Sequence, residues 1–270
     1  MSRESDLWES DLWAQMPKLQ RETIELWQSL KHAHSRSVLL TRHSIRVLQD
    51  SDGNSGYDLP LTDEGRALAR RYGEWLRSRI SFGGAISSTV DRCAETVELM
   101  TDWQAKRHDW LKEPGAFVDA NPEVTARFFE AGHHVFAREL LGDQLPTKHS
   151  VSEAAKRLLS RLFDEAQAGQ PLLAVTHDSV LAVLFSLLSG EDLTSEQSWP
   201  QMMEGGVLLF DDPLSHPPGD LIGERLRNPA INSSVKSAIN PSINPADEPS
   251  TSQAHSGQLI FRGRVYRFSL

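Results

Sequence analysis

Solid apolar runs alternate along the chain with longer stretches in which apolar residues recur at helical spacing. Ser37-Val38-Leu39-Leu40-Thr41 and Leu172-Leu173-Ala174-Val175-Thr176 are unbroken runs of the kind that form strands buried on both faces of a parallel sheet. Ala85-Ile86-Ser87-Ser88 and Val207-Leu208-Leu209-Phe210 predict two more strands. Between them, Leu68, Tyr72, Trp75, Leu76 and Ile80 fall on one helical face behind Thr62, a residue suited to an N-cap. Val90, Cys93, Val97 and Met100 follow at i, i+3, i+7 and i+10, and helices are also expected over 151–167 and 179–188. Strand and helix alternating in this way predict an α/β fold: a three-layer α/β/α sandwich with a mostly parallel central sheet and right-handed crossovers.

Other segments depart from this pattern. Residues 1–36 open with an echoed Ser-Asp-Leu-Trp and continue with helical spacing through Trp13, Met16, Leu19, Ile24, Trp27 and Leu30, which predicts a helical extension packed on an α/β domain of residues 37–270. Residues 113–148 are broken by Pro114, Gly115, Pro122, Gly132, Gly142 and Pro146, and read as an irregular, cap-like insertion over the sheet. Residues 212–256 turn to Pro, Ser and Asn and carry too few bulky apolar residues to fold, so an unstructured loop within the domain is expected there. Strand-like alternation returns at 258–268.

Composition narrows the function. At 270 residues and 39% hydrophobic, the chain has enough apolar material for one good core. A net charge of -9 argues against nucleic acid or an anionic membrane as partner, so any anion must be captured locally. The single cysteine, Cys93, excludes an intramolecular disulfide and a thiolate zinc site. The start of the chain is polar and acidic rather than basic and then apolar, and no run approaches a membrane span, so a cytoplasmic protein is expected.

The candidate chemistry lies where two strands end. Thr41-Arg42-His43-Ser44-Ile45-Arg46 and Thr176-His177-Asp178 each follow an apolar run, which places both at strand C-terminal ends, the edge where open α/β sheets bind ligands. Arg42, Arg46 and Arg92, the last just beyond Ser87-Ser88, offer planar forks that match phosphate oxygens, and His177 adds a fourth donor. Histidine can take up a phosphoryl group covalently if it is neutral, and neighbouring arginines favour the neutral form, which points to His43 as nucleophile. Asp178 is the natural proton donor to the leaving oxygen once a bound phosphate dianion offsets the arginines. No set of residues has recognisable metal-ligand spacing: His32-Ala33-His34 and His133-His134 read as surface or cap histidines, of which His133 or His134 reaches the pocket if the cap folds over it, Cys93 reads as a buried small residue, and Glu204 as structural. Asp52-Gly53-Asn54 lacks the Lys and Ser/Thr of a P-loop.

Taken with Leu61-Thr62-Asp63-Glu64-Gly65 and Ser87-Ser88-Thr89-Val90-Asp91-Arg92-Cys93-Ala94-Glu95-Thr96, these fragments resemble the histidine phosphatase superfamily, the phosphoglycerate mutase and acid phosphatase group. The resemblance implies His43 as nucleophile, Arg42, Arg46, Arg92 and His177 as the phosphate pocket, Asp178 as proton donor, and no metal or organic cofactor. It also brings in Glu113, since a glutamate from the middle segment is the acid in the mutase branch. Ser44 stands where the family usually has Gly, and its hydroxyl either narrows the pocket or adds a donor. Thr89 and Leu48 replace common prolines. The reading is a cofactor-independent phosphatase acting on a small phosphomonoester. A phosphomutase, a phosphohistidine protein phosphatase and a non-catalytic phosphate-binding scaffold are the alternatives.

Overall fold

A computed structural model describes the backbone of residues 11–19 and all atoms of residues 20–30, 36–47, 56–118, 121–211 and 255–270. Of the loop expected over 212–256, residues 212–254 lie outside the described residues, as do His32-Ala33-His34, Leu48 and Asp52-Gly53-Asn54, whereas Ser256 already opens a strand.

Strands β1 (Arg36–Arg42), β2 (Gly84–Ser88), β3 (Lys106–His108), β4 (Leu172–Thr176), β5 (Gly205–Phe210), β6 (Ser256–Phe261) and β7 (Arg264–Ser269) form one sheet in the order β3-β2-β4-β1-β5-β6-β7. The β3-β2-β4-β1 part is parallel, and β5, β6 and β7 add antiparallel strands to it. The helices are α1 (Asp11–Leu30), α2 (Asp63–Arg77), α3 (Asp91–Thr101), α4 (Pro122–Ala131), α5 (His133–Leu141), α6 (Val151–Glu165) and α7 (Asp178–Ser189).

Side chains alternate across a strand, so each apolar run feeds two cores. Leu39 and Leu173 pack with Ile24 and Trp27 of α1, Leu68 of α2 and Val97 of α3. Leu40 and Ala174 face the opposite way, into a core with Phe128 of α4, Phe136 of α5, Leu158 of α6 and Leu181 of α7. The result is the expected three layers. The helix starts follow the sequence: Thr62 Oγ1 accepts from Gly65 N at 2.9 Å, and Ser150 and Glu153 form a reciprocal capping box on α6.

Three segments differ from expectation. The 113–148 stretch is not irregular throughout but carries α4 and α5, because three of its breakers fall at helix ends: Pro122 opens α4 behind an Asn121 cap, and Gly132 and Gly142 close α4 and α5. The single strand expected at 258–268 is a hairpin, β6 and β7 turning at Arg262-Gly263. Strand β3 was not expected, being three polar residues at the sheet edge with no apolar alternation to announce it.

The placement of β1 beside β4 builds the site. Arg42 pairs with Thr176 at the end of the parallel ladder, and His43 N donates to Thr176 O at 3.0 Å, so the residues that follow both strands leave the same edge together.

Candidate active site

His43 is buried at this edge. Its Nδ1 lies 2.7 Å from Ser44 O, a carbonyl that can only accept, so Nδ1 carries the hydrogen and Nε2 keeps a lone pair. Arg92 Nε donates to that lone pair at 3.0 Å. Burial, and then the charges of Arg42, Arg92 and His177, hold the His43 pKa well below its usual range, so the ring is neutral at ordinary pH.

His177 stands edge-on to His43, with ring centroids 5.6 Å apart. The two imidazoles have opposite character. Burial opposes a charge on His177, but the Cys93 sulfur at 3.6 Å and the Glu113 carboxylate at 3.1 Å raise its pKa to about 10. The resulting imidazolium donates from Nδ1 to Glu113 and from Nε2 to Ser88 Oγ at 2.9 Å. Glu113 is buried too. It also pairs with Arg92 Nη2 at 3.6 Å and accepts from Ser179 Oγ at 2.6 Å; burial and the Asp178 charge oppose its ionisation, but His177, with His133 behind it, overcomes them and keeps it ionised.

Arg42 reaches Asp178 Oδ2 at 2.6 Å and Pro200 O at 2.7 Å, and its buried Nε–H has no partner among the described residues. Asp178 opens α7, accepts from Ser179 N at 2.8 Å and lies 3.6 Å from His133 Nδ1. Against burial, Arg42, His133 and the Trp199 side chain hold its carboxyl well below the usual range. Arg46 is half-buried, and that burial, followed by the like charges of Arg92 and Arg42, lowers its pKa. The predicted Arg42, His43, Arg46, Arg92, Glu113, His177 and Asp178 therefore share one basin. Ser44 does not direct its donors there: its N–H donates to Thr96 Oγ1 and its hydroxyl to Gly65 O at 2.7 Å.

The matched sequence spans this same set of residues. The model of the histidine phosphatase superfamily (branch 1) matches residues 38–208. The chain belongs to that superfamily. No curated protein sequence matches it. Similar solved structures include a mycobacterial glucosyl-3-phosphoglycerate phosphatase, at 18% identity over 64% of this chain and 90% of that one, with a TM-score of 0.46. A phosphoserine phosphatase from Entamoeba histolytica aligns at 17% identity over 64% and 89%, with a TM-score of 0.42. A phosphoglycerate mutase from Bacillus anthracis aligns at 16% identity over 67% and 91%, also with a TM-score of 0.42. At such identities the likeness concerns the fold alone.

Of two further residues that this superfamily member brings to the basin, sequence reasoning allowed His133 only on condition that the cap folds over the pocket and missed Tyr57. His133, read as a cap histidine, reaches Asp178 because α5 begins above the site, whereas its neighbour His134 bonds Thr194 O and packs on Trp199. Tyr57 donates its hydroxyl to Glu113 O, and its ring meets Phe129 and the Lys112 ammonium. Nothing in local sequence marks these residues, since their place depends on how α4 and α5 fold back. Glu204 is structural as expected, held by Arg262 at 2.7 Å.

Glu113, His133 and Asp178 bring oxygen and nitrogen atoms within 4.8 Å of one another. Each is already engaged by a protein cation or carboxylate, since Arg42 holds Asp178 and Arg92 and His177 hold Glu113. The trio is an ion-pair cluster: a divalent cation there would meet three protein cations at close range. Among the described residues, no helix is long and apolar enough to cross a membrane.

Proposed function

We propose that the chain is a phosphomonoesterase that hydrolyses a small phosphorylated metabolite through a phosphohistidine on His43, without a cofactor. The observation that carries this reading is the neutral His43 ring, whose Nε2 lone pair faces a guanidinium group at 3.0 Å rather than water. A phosphate oxygen replaces Nε2 as the acceptor of Arg92, and the freed lone pair attacks phosphorus. The N–P bond forms as the ester P–O bond breaks, its electron pair leaves on the ester oxygen, and that oxygen takes a proton from Asp178. Water then attacks phosphorus, the N–P bond returns its pair to Nε2, and orthophosphate leaves as Asp178 takes the water's proton.

Arg42, Arg46, Arg92 and the His177 imidazolium would share the phosphoryl oxygens, with the unpartnered Arg42 Nε–H as one ready donor. Against Glu113 and Asp178 these four cations leave a positive excess that a phosphate dianion cancels. Once Arg42 turns to phosphate, Asp178 loses the closest partner of its carboxylate and can pass a proton to the leaving oxygen. Glu113, seated between Arg92 and His177, would fix those two donors. The contact of Tyr57 with Phe129 and the reach of His133 to Asp178 support a small substrate, because both draw the cap helices close over the basin.

Hydrolysis of 4-nitrophenyl phosphate by wild type and His43→Ala tests the reading. Wild type is expected to turn over and to yield an acid-labile phosphoenzyme on quenching, and the variant to do neither. Equal rates for the two would leave a phosphate-binding scaffold as the better account.

A further inference from the structure

We infer that His133 supplies the leaving-group proton, acting through Asp178 as a positioning residue carried by the cap. This rests on the phosphatase reading above. Asp178 meets a difficulty as an acid on its own: Arg42 at 2.6 Å favours its carboxylate until substrate arrives and the Ser179 amide at 2.8 Å continues to favour it, so it needs a proton at the moment of bond breaking. His133 stands where such a proton can be held. Gly132, with φ of 76°, separates α4 from α5 in a conformation that side chains rarely adopt, and so starts α5 at His133. The His133 ring stacks on Phe128 at 4.9 Å between centroids, which orients Nδ1 toward Asp178 Oδ1 at 3.6 Å. Its side chain is 34% exposed, so solvent can reprotonate it between turnovers.

The groups that face His133 decide its charge. Asp178 of α7 and Glu113 before the cap favour the imidazolium, whereas burial, Arg42 of β1 and the positive end of α5 oppose it. The two carboxylates prevail, and the pKa is raised above the ordinary 6.5.

The step balances simply. As the ester P–O bond breaks, Asp178 gives a proton to the departing oxygen and takes the Nδ1 proton of His133, which ends neutral. In the second displacement the attacking water loses a proton to Asp178, and His133 recovers its own. The 3.6 Å separation is an ion-pair distance, which must shorten to a hydrogen bond as substrate draws Arg42 away.

A leaving group of high basicity needs this proton, and one that departs readily as an anion does not. His133→Asn keeps a donor toward Asp178 yet cannot give up a proton. The test therefore compares wild type and His133→Asn on a simple alkyl phosphate and on 4-nitrophenyl phosphate across pH. For the alkyl ester, kcat is expected to fall about 100-fold in His133→Asn, against about 3-fold or less for the aryl ester. The basic limb of the wild-type alkyl profile, centred above 6.5, is expected to vanish in the variant. Equal losses on both esters, no loss on either, or an unchanged basic limb would overturn the assignment to His133. Absence of His43-dependent turnover of either ester in wild type would instead overturn the phosphatase reading itself.

Discussion

Ser44 follows the proposed nucleophile directly, yet both of its donors point elsewhere, the amide to Thr96 Oγ1 and the hydroxyl to Gly65 O. The hydroxyl thus ties the exit of β1 to the first turn of α2. Ser44→Ala is expected to lower stability by about 1 kcal/mol in urea unfolding, the net value of one buried hydrogen bond. Its kcat/KM on 4-nitrophenyl phosphate is expected to stay within about 3-fold of wild type, because no contact made to the transition state is removed. A tenfold or larger loss at unchanged stability would mean that the hydroxyl turns toward phosphate. At this scale the members of the charged basin were legible, because Arg42, His43, Arg46, Arg92, His177 and Asp178 sit at fixed offsets from two apolar runs and a strand end. The directions of side chains were not: whether Ser44 points in or out depends on where the first turn of α2 comes to rest.

The start of α2 is an element held by close approach rather than by its cap alone. Thr62 N donates to Ile45 O at 3.0 Å, and a Cβ added at Gly65 would lie 2.1 Å from that same oxygen. Glycine is needed there because helix and strand exit touch backbone to backbone. Two substitutions separate capping from positioning. Thr62→Ala removes the bond from Gly65 N and is expected to cost about 1 kcal/mol in urea unfolding with kcat unchanged. Gly65→Ala must push α2 away from the His43–Arg46 turn, and a displacement of that kind at the proposed phosphate-binding turn is expected to lower kcat by about 100-fold. If Gly65→Ala keeps full kcat, the turn is held by something other than this contact. The same level of organisation shows what sequence conceals. The 3.6 period of α2 and α3 and the buried runs of β1 and β4 were plain, since each makes its own pattern of burial. Helices α4 and α5 were hidden because Pro122, which reads as a breaker, sits at a helix start where its missing N–H is harmless. Strand β3 owes its existence to pairing with β2, and its exposed Lys106 and Arg107 carry no periodic signal.

Across the whole molecule, a cluster of charges lies at the sheet edge between two apolar cores, and stability must answer to pH through it. The His177 pKa is raised to about 10, so the stability it contributes is complete below the ordinary 6.5 of a histidine and is lost as pH rises toward 10. Asp178 and Glu113 are depressed, so their contribution is present above the ordinary carboxylate values and is lost only in acid. With His43 held neutral, stability is lost as pH falls below the ordinary 6.5, so stability should be greatest near that value and decline on the alkaline side through His177, although the chain as a whole is acidic. His177→Gln removes the titrating group while keeping a donor toward Glu113. Urea unfolding of both proteins at pH 6.5 and pH 9.5 is expected to show a clear alkaline loss in wild type and a much smaller one in the variant. The same decline in both would assign it to another group and would separate Glu113 from a charged His177. Orthophosphate sharpens the test, because an anion bound among Arg42, Arg92 and His177 favours the imidazolium further. Adding it at about 100 times its Kd should stabilise wild type by about 2.7 kcal/mol at pH 6.5 and by less at pH 9.5, with the difference between the two pH values shrinking in His177→Gln.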